Sequence, residues 1–223
     1  MDKTEKAPER LDARRRAILA RAVEAAPFDG WTDAMLAAAA EEAGCAKGDA
    51  ALAFPKGVSD LLDFYADEAD GKMLAALGAL PLGEMRIREK VAAAVRARIE
   101  ALAGEKEAAR RAAATLTLPH LAPLGARLAW RTADRIWRAI GDASTDFNFY
   151  TKRAILTGVY GSTLAVWFND DGEGSEKTWA FLDARIENVM QFEKFKAKVK
   201  KSPLADLNPV RILSKFRYGA GQG

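Results

Sequence analysis

Cysteine and histidine are almost absent from this sequence, which contains one of each, Cys45 and His120. A single cysteine excludes an internal disulfide and a zinc site built from thiolates. A di-iron helical bundle needs Glu-x-x-His pairs on facing helices, and the residue three before His120 is Thr117. We therefore expect neither a metal nor another cofactor, and we interpret His120 as a structural residue beside Pro119.

Motifs of nucleotide-dependent enzymes and of exported or membrane-spanning proteins are missing as well. No glycine-rich run leads into Gly-Lys-Ser/Thr, and no dinucleotide fingerprint follows a strand. No uninterrupted apolar run reaches the roughly 18 residues of a spanning helix. The N-terminus lacks the apolar stretch of a secretory signal, and its acidic residues Asp2, Glu5, Glu9 and Asp12 argue against an organelle transit peptide. These absences predict a non-enzymatic, cytoplasmic protein.

Strong helix formers are abundant instead. Leu, Ala, Arg, Lys and Glu dominate the 223 residues and β-branched residues are sparse, which predicts an all-α protein. The length suffices for one good core, or for one core and a small appended module. Apolar spacing and capping residues predict helices over 12–26, 33–43, 47–54, 58–78, 84–102, 105–116, 124–140, from a cap at 144 or 145 to about 169, and over 175–201.

The most distinctive segment is 141–156, which contains Ser144-Thr145-Asp146-Phe147-Asn148, then Phe149-Tyr150, then Thr151-Lys152-Arg153-Ala154. Ser144 or Thr145 is a suitable N-cap, and Asp146 suits the positive end of a helix dipole. By pattern alone, this segment indicates an ordinary capped helix whose apolar side packs in the core.

The same segment resembles the signature of a family of ubiquinone-biosynthesis accessory proteins, which bind lipid and assist the di-iron demethoxyubiquinone hydroxylase. The family usually has Trp where this chain has Phe149, which keeps a large apolar face but loses the indole donor. The resemblance runs from about Gly30 to the end and is strongest over 141–168. It implies that the hydroxylase docks on Phe149, Tyr150, Lys152 and Arg153.

The N-terminal part resembles the TetR transcription-regulator fold in its order of long, short, short and long helices. The resemblance rests on Ile18-Leu19, Gly30-Trp31-Thr32, Ala43-Gly44, Phe54-Pro55-Lys56 and Leu61-Leu62. It implies a TetR-like helical bundle and, by the habit of that fold, a homodimer. We expect a disordered 1–11, a helix-turn-helix-like subdomain over 12–78, a lipid-binding helical domain over 79–201 and an amphipathic tail over 202–223.

A TetR-type regulator that binds DNA and a hydrophobic effector is the alternative function. The segment 46–54 would then enter the major groove. It offers one basic residue, Lys47, no Arg, Asn or Gln for base edges, and an unfavourable Asp49. Arg14, Arg15 and Arg16 could contact only the backbone, which carries no sequence information. We therefore expect no specific nucleic-acid binding.

The lipid is expected in the C-terminal helical domain, where the regulator fold normally holds its ligand. An isoprenoid quinone precursor or a phospholipid needs a largely apolar pocket. Each large apolar side chain there could equally be plain core. The predicted lining residues are Leu118, Leu121, Leu124, Trp137, Phe147, Ile155, Val159 and Trp167.

The C-terminal tail is basic and amphipathic. Asn208 and Pro209 suit the start of a helix, and after them an apolar stripe has basic residues beside it. This composition predicts an interfacial helix on an anionic membrane, here the bacterial inner membrane. Docking on the protein's own core or on a second subunit is the alternative. The predicted membrane-binding residues are Val210, Arg211, Leu213, Lys215, Phe216 and Arg217.

Overall fold

The computed structural model of the protein describes residues 7–46, 48–145 and 147–201, and it gives the backbone alone for 7–9, 147 and 192–201. These ranges contain α-helices, two short 3₁₀ segments and no strand, so the all-α prediction is confirmed. The helices are α1 (Ala7–Asp29), α2 (Asp33–Glu42), α3 (Asp49–Ala53), α4 (Val58–Gly78), α5 (Ile87–Glu100), α6 (Lys106–Thr115), α7 (Ala122–Ala139), α8 (Phe147–Phe168) and α9 (Glu176–Lys201).

The chain divides into two compact units, 1–182 and 183–223, so the boundary falls within α9. In the first unit α1 packs on α2 and α6, α4 packs on α5 and α7, and α7 packs on α8. Trp31 directly precedes the N-cap of α2 and is buried. Its indole donates a hydrogen bond to the carbonyl of Ala108 on α6 at 3.0 Å. The finer division at residue 78 and the homodimer stay predictions.

Two helices begin earlier than the sequence predicts, because each has a proline in its first turn. Helix α1 begins at Ala7 with Pro8 next, and α7 begins at Ala122 with Pro123 next. A proline in the first turn sacrifices no intrahelical hydrogen bond, so it is compatible with helix there. Residues 7–11 are therefore helical, although the sequence predicts disorder for them.

The turn between α3 and α4 is fixed by a contact that only glycine allows. Asp33 in the first turn of α2 accepts a hydrogen bond from the amide of Val58 at 2.7 Å. Gly57 has φ +60°, and a Cβ there would lie 2.2 Å from the Asp33 carboxylate oxygen. Together with the predicted Thr32 cap, whose hydroxyl accepts from Met35 N at 3.1 Å, this contact holds α2, α3 and α4 as a helix-turn-helix.

Candidate functional site

A buried carboxylate organises the distinctive segment. Asp142, in the turn before α8, accepts hydrogen bonds from Ser144 Oγ at 2.7 Å and from Lys152 Nζ at 2.7 Å. Arg153 Nη1 also donates to Asp142, at 3.2 Å. Burial raises the pKa of Asp142, but the hydrogen bonds from Lys152, Ser144 and Arg153 outweigh it and bring the pKa to about 2. Asp142 is therefore ionised and ties the turn to the first turns of α8.

Arg153 is the centre of this arrangement and is itself only 1% exposed. Its Nε donates to Asp134 on α7 at 2.6 Å, and its Nη1 donates to the carbonyl of Phe149 at 3.2 Å. The guanidinium carbon lies 3.4 Å from the centroid of the Phe149 ring. The expectation that Arg153 lies on the partner surface is therefore wrong, since its charge is neutralised inside by Asp134 and Asp142.

The aromatic side chains beside these ion pairs form an outward surface, which we call the aromatic patch: Trp130, Phe149 and Tyr150. The ring centroids of Phe149 and Tyr150 are 5.1 Å apart, and those of Trp130 and Tyr150 are 6.4 Å apart. Tyr150 is 61% exposed, whereas Phe149 is half-buried. An exposed ring on a rigid base has the composition of a protein-binding hot spot.

Lys152 connects the patch to the interior. Its carbonyl accepts a hydrogen bond from the Trp137 indole at 3.1 Å, and its ammonium lies 5.3 Å from the centre of the same ring. Because its ammonium also contacts Asp142 and Ser144, Lys152 is fixed rather than free to reach a partner. It is partly exposed at the edge of the patch.

A second candidate site is an open groove of about 850 Å³ between α6, α7 and α8. Small residues shape most of it. A Cβ on Gly125 would lie 2.9 Å from the carbonyl oxygen of Leu116, so glycine lets α7 pass close to the end of α6. The larger apolar side chains in the groove are Leu116, Leu128, Leu164 and Phe168, and the small ones include Ala113, Gly125, Ala126, Ala129, Gly161 and Ala165.

The inner wall of the groove carries polar side chains. Arg98, Thr132 and Tyr160 line it, and all three are buried. Arg98 Nε donates to Asp70 at 2.7 Å and Thr132 Oγ1 donates to the same carboxylate oxygen at 2.8 Å. Burial raises the pKa of the Tyr160 hydroxyl, which therefore stays protonated. The groove is thus lined mostly by apolar side chains, with Arg98, Thr132 and Tyr160 as its buried polar residues and Arg110, Thr117 and Asn169 as its exposed ones.

The predicted lipid-lining residues do not coincide with this groove. Leu121, Val159 and Trp167 are buried core, and Leu124, Trp137 and Ile155 are half-buried. Leu118 is exposed, and the side chain of Phe147 lies outside the described residues. None of the other seven is among the described residues that line the groove. Large side chains fill space, whereas a groove forms where small ones leave it. The direct lipid contact of these eight residues stays a prediction.

Sequence reasoning missed Asp70, Arg98, Thr132 and Tyr160. A signal was present: acids on α4 at 63, 67 and 70 and arginines on α7 at 127, 131 and 135 recur at helical spacing, so the two faces are complementary. The structure pairs them. Arg131 and Arg127 contact Asp63, while Arg135 contacts Asp67 at 2.7 Å and Asp70 at 3.1 Å.

The segment that would read DNA offers little to bases. Helix α3 is only Asp49–Ala53, and its most exposed side chain is Leu52, at 68%. Asp49 accepts from Arg14 Nη1 at 3.1 Å, and Arg16 Nε contacts Glu68 at 3.2 Å. The Arg15 guanidinium lies over the ring of Phe64 at 4.5 Å. All three arginines thus make contacts within the fold; Lys47 lies outside the described residues.

The six tail residues of the predicted membrane anchor, Val210, Arg211, Leu213, Lys215, Phe216 and Arg217, lie outside the described residues. Across the part of the chain that is described, no helix combines the length and apolar character that crossing a bilayer requires. Over the same residues, no three His, Cys, Asp or Glu side chains gather as a metal site would need.

Comparison with known proteins identifies relatives over most of the chain. The COQ9 family model matches residues 122–193, which include the distinctive segment. Human ubiquinone biosynthesis protein COQ9, mitochondrial (Homo sapiens), is 31% identical over 192 residues, which cover 83% of this chain and 60% of the human protein. Its counterpart in Rattus norvegicus is 32% identical over 192 residues, or 83% of this chain and 61% of the rat protein.

The fold comparison points to transcription regulators. A TetR transcriptional regulator from Nitrosomonas europaea ATCC 19718 superposes with a TM-score of 0.64 at 23% identity, covering 79% of this chain and 97% of that one. This likeness shows the fold and confirms the TetR-like prediction. The chain spans about three fifths of the length of the curated relatives it matches. By its sequence, this chain is similar to COQ9 ubiquinone biosynthesis proteins over most of its length, and residues 122–193 match the COQ9 family model.

Proposed function

We propose that this protein is a non-catalytic accessory factor of ubiquinone biosynthesis, which holds an isoprenoid quinone intermediate and presents it to the demethoxyubiquinone hydroxylase. The observation that carries the proposal is the exposed Tyr150 ring. The buried side chains of Arg153 and Asp142, together with the partly exposed Asp134, fix the first turns of α8, and this network holds Tyr150 and Phe149 at the surface. Charged residues that are themselves inaccessible thereby orient the aromatic patch, which is the surface that docks the hydroxylase.

The groove supports the lipid-holding half of the proposal. Its volume of about 850 Å³ lies within the range of small-molecule sites. Its walls are mostly apolar side chains contributed by α6, α7 and α8. A polyprenyl chain is long, narrow and apolar, so a groove shaped by alanine and glycine suits it better than a wide cavity between large side chains.

The membrane-bound half of the proposal concerns the tail, residues 202–223. A basic amphipathic segment would keep the protein on the anionic surface where polyprenyl intermediates reside. Replacing Leu213 and Phe216 by Ser should weaken binding to phosphatidylglycerol vesicles and leave the fold intact. Unchanged vesicle binding would show that the tail serves another purpose, such as subunit docking. Location in the bacterial cytoplasm and on the inner membrane stays part of this proposal.

The regulator alternative is disfavoured by the side chains of the α3 region. Sequence-specific readout needs donors and acceptors at base edges, and the exposed side chains of α3 are those of Ala51 and Leu52. Selection from a random duplex library should therefore return no motif. A specific site bound with nanomolar affinity at physiological salt would establish the regulator function instead.

Extraction of the purified protein tests the proposal directly. Organic-solvent extracts analysed by mass spectrometry should contain an isoprenoid quinone precursor or a phospholipid at near-stoichiometric amounts. Gly161→Leu, which adds a large side chain to the groove wall, should carry much less lipid at unchanged protein yield, because Gly161 has open space around it. Absence of lipid from the wild type in repeated preparations would contradict the proposal.

A further inference from the structure

One donor on the inner wall of the groove is left over. Arg98 is only 4% exposed, and its Nε is bound to Asp70. Its Nη1 is buried and has no hydrogen-bond partner among the residues that the structure describes. Buried guanidinium donors are normally satisfied, so an orphaned one on a ligand-sized groove indicates that an acceptor belongs there.

The charges around Arg98 favour an acceptor rather than another donor. The ion-pair cluster between α4, α5 and α7 contains three carboxylates, Asp63, Asp67 and Asp70, and four guanidinium groups, Arg98, Arg127, Arg131 and Arg135. The cluster therefore carries one more positive than negative charge, and its most exposed guanidinium group is that of Arg127, whose side chain is 67% exposed. Asp70 cannot balance the excess charge alone, because it already contacts Arg98, Arg135 and Thr132.

The neighbours of Arg98 give the acceptor a flat, partly apolar surface. The guanidinium lies over the ring of Tyr160 at 5.7 Å, and both residues line the groove with Thr132. Toward the mouth the walls become Ala126, Gly161 and Ala165. The buried polar residues of the groove are thus accompanied by mostly small apolar side chains, which suit a narrow apolar chain.

We infer that Arg98 binds the oxygen-bearing head of a long-chain ligand through Nη1, so that the ligand enters head first and its apolar chain lies along α7 and α8 toward the mouth. The inference rests on the proposed function, because it assumes that the groove holds lipid. The head chemistry is that of a strong oxygen acceptor. A quinone carbonyl and a lipid phosphate both supply it, and the experiment distinguishes these two sources.

Three probes with similar chains and different heads test the inference, each measured by displacement of Nile red. Decylubiquinone carries a quinone, dodecylphosphocholine carries a phosphate, and 1-phenyldecane carries no acceptor. Wild type should bind one of the two oxygen-bearing probes at least about tenfold tighter than 1-phenyldecane, the effect of one charge-assisted hydrogen bond. The tighter probe identifies the source of the head.

Arg98→Lys keeps a cation beside Asp70 but removes the Nη1 donor. It should lower the affinity for the preferred oxygen-bearing probe about tenfold and leave 1-phenyldecane unchanged. Arg96→Lys is the matched control, because Arg96 lies on the same helix as Arg98 but outside the groove, is about half exposed and is paired with Glu100 at 2.9 Å. This control should change none of the three affinities.

The outcomes separate the inference from the function it rests on. If no probe binds, the lipid-holding function fails together with the inference. If all three bind wild type equally, lipid holding stands and head recognition by Arg98 is overturned. Should Arg98→Lys fail to fold, the wild-type comparison of headed and headless probes decides by itself. If wild type prefers an oxygen-bearing probe and Arg98→Lys keeps the same preference, the inference is also overturned.

Discussion

The α2–α3–α4 segment and the segment around the start of α8 make opposite use of their polar side chains. In the first, Asp33 and Asp49 make contacts within the fold, and the exposed residues of α3 are Ala51 and Leu52. In the second, Asp142 and Arg153 are buried together and hold Tyr150 outward. The regulator fold is common to both, but only the second segment combines a large exposed ring with a rigid charged base.

This difference bears on which of the two segments is suited to bind a partner. A helix-turn-helix that reads DNA exposes donors and acceptors on its second helix. Here that helix is five residues long and is held in place by Gly57 and Asp33. At the start of α8, two ion pairs orient a few exposed atoms. Structural packing alone does not require this arrangement. We interpret the first segment as scaffold and the second as a binding surface.

The largest effect is expected from Arg153→Met, which breaks the base of the aromatic patch. It leaves Asp134 and Asp142 without their shared guanidinium in a buried setting, so the free energy of unfolding should fall by about 3–5 kcal/mol. Arg138→Met is the matched control, because Arg138 contacts the same Asp134 but its side chain is 68% exposed. Urea denaturation should show less than about 1 kcal/mol for the control. Equal losses would mean that burial of Arg153 contributes nothing special.

A somewhat smaller loss is expected from Gly57→Ala in the scaffold segment. The new Cβ would meet the Asp33 carboxylate at a positive φ, so the substitution should cost about 2–3 kcal/mol. Gly71→Ala is the control, since Gly71 lies within α4 with no atom within 4 Å of an added Cβ. It should stabilise the protein by up to about 1 kcal/mol. If Gly57→Ala has no effect on a thermal melt, the Asp33–Val58 contact does not determine this turn.

Acid should remove the contribution of Asp142 to stability. The pKa of Asp142 is about 2 in the folded protein and 3.8 for a free aspartate. Its contribution, up to about 2 kcal/mol, is therefore fully present above about pH 4 and is lost as the pH falls toward 2. The difference in unfolding free energy between wild type and Asp142→Asn should shrink across this window. A difference that is constant from pH 5 to pH 2 would contradict the role assigned to Asp142.

The sequence predicted those elements whose local signals agree with their packing. Thr32 as the α2 cap, the bounds of α4 at Val58 and Gly78, and the start of α8 near Ser144 follow from capping and periodicity. The fold class followed from composition and the family resemblance. These features are local, so one chain contains enough information to place them.

The parts that failed depend on distant contacts. Arg153 reads as a surface residue until Asp134 and Asp142 are brought to it from α7 and the following turn. The groove forms partly because Gly125 and Gly161 have no side chains. The spacing of apolar residues in a sequence does not reveal such empty space. The pairing of Arg98 and Arg135 with Asp70 exists only once α4, α5 and α7 meet.

Two variants compare the two segments most directly, Tyr150→Lys and Leu52→Lys. We expect them to have the smallest effect on stability. The two side chains are 61% and 68% exposed, so each change adds one charge at an open site and should alter the unfolding free energy by less than about 0.5 kcal/mol. Thermal melts of both variants should therefore overlay that of wild type.

Binding of these two variants to the demethoxyubiquinone hydroxylase of the same organism is the decisive measurement. Tyr150→Lys should lose about tenfold or more in affinity by calorimetry, because it removes an aromatic anchor from the patch. Leu52→Lys should bind like wild type, since no partner is proposed for α3. Intact binding of Tyr150→Lys, or an equal loss in both variants, would contradict the claim that the start of α8 is the docking surface.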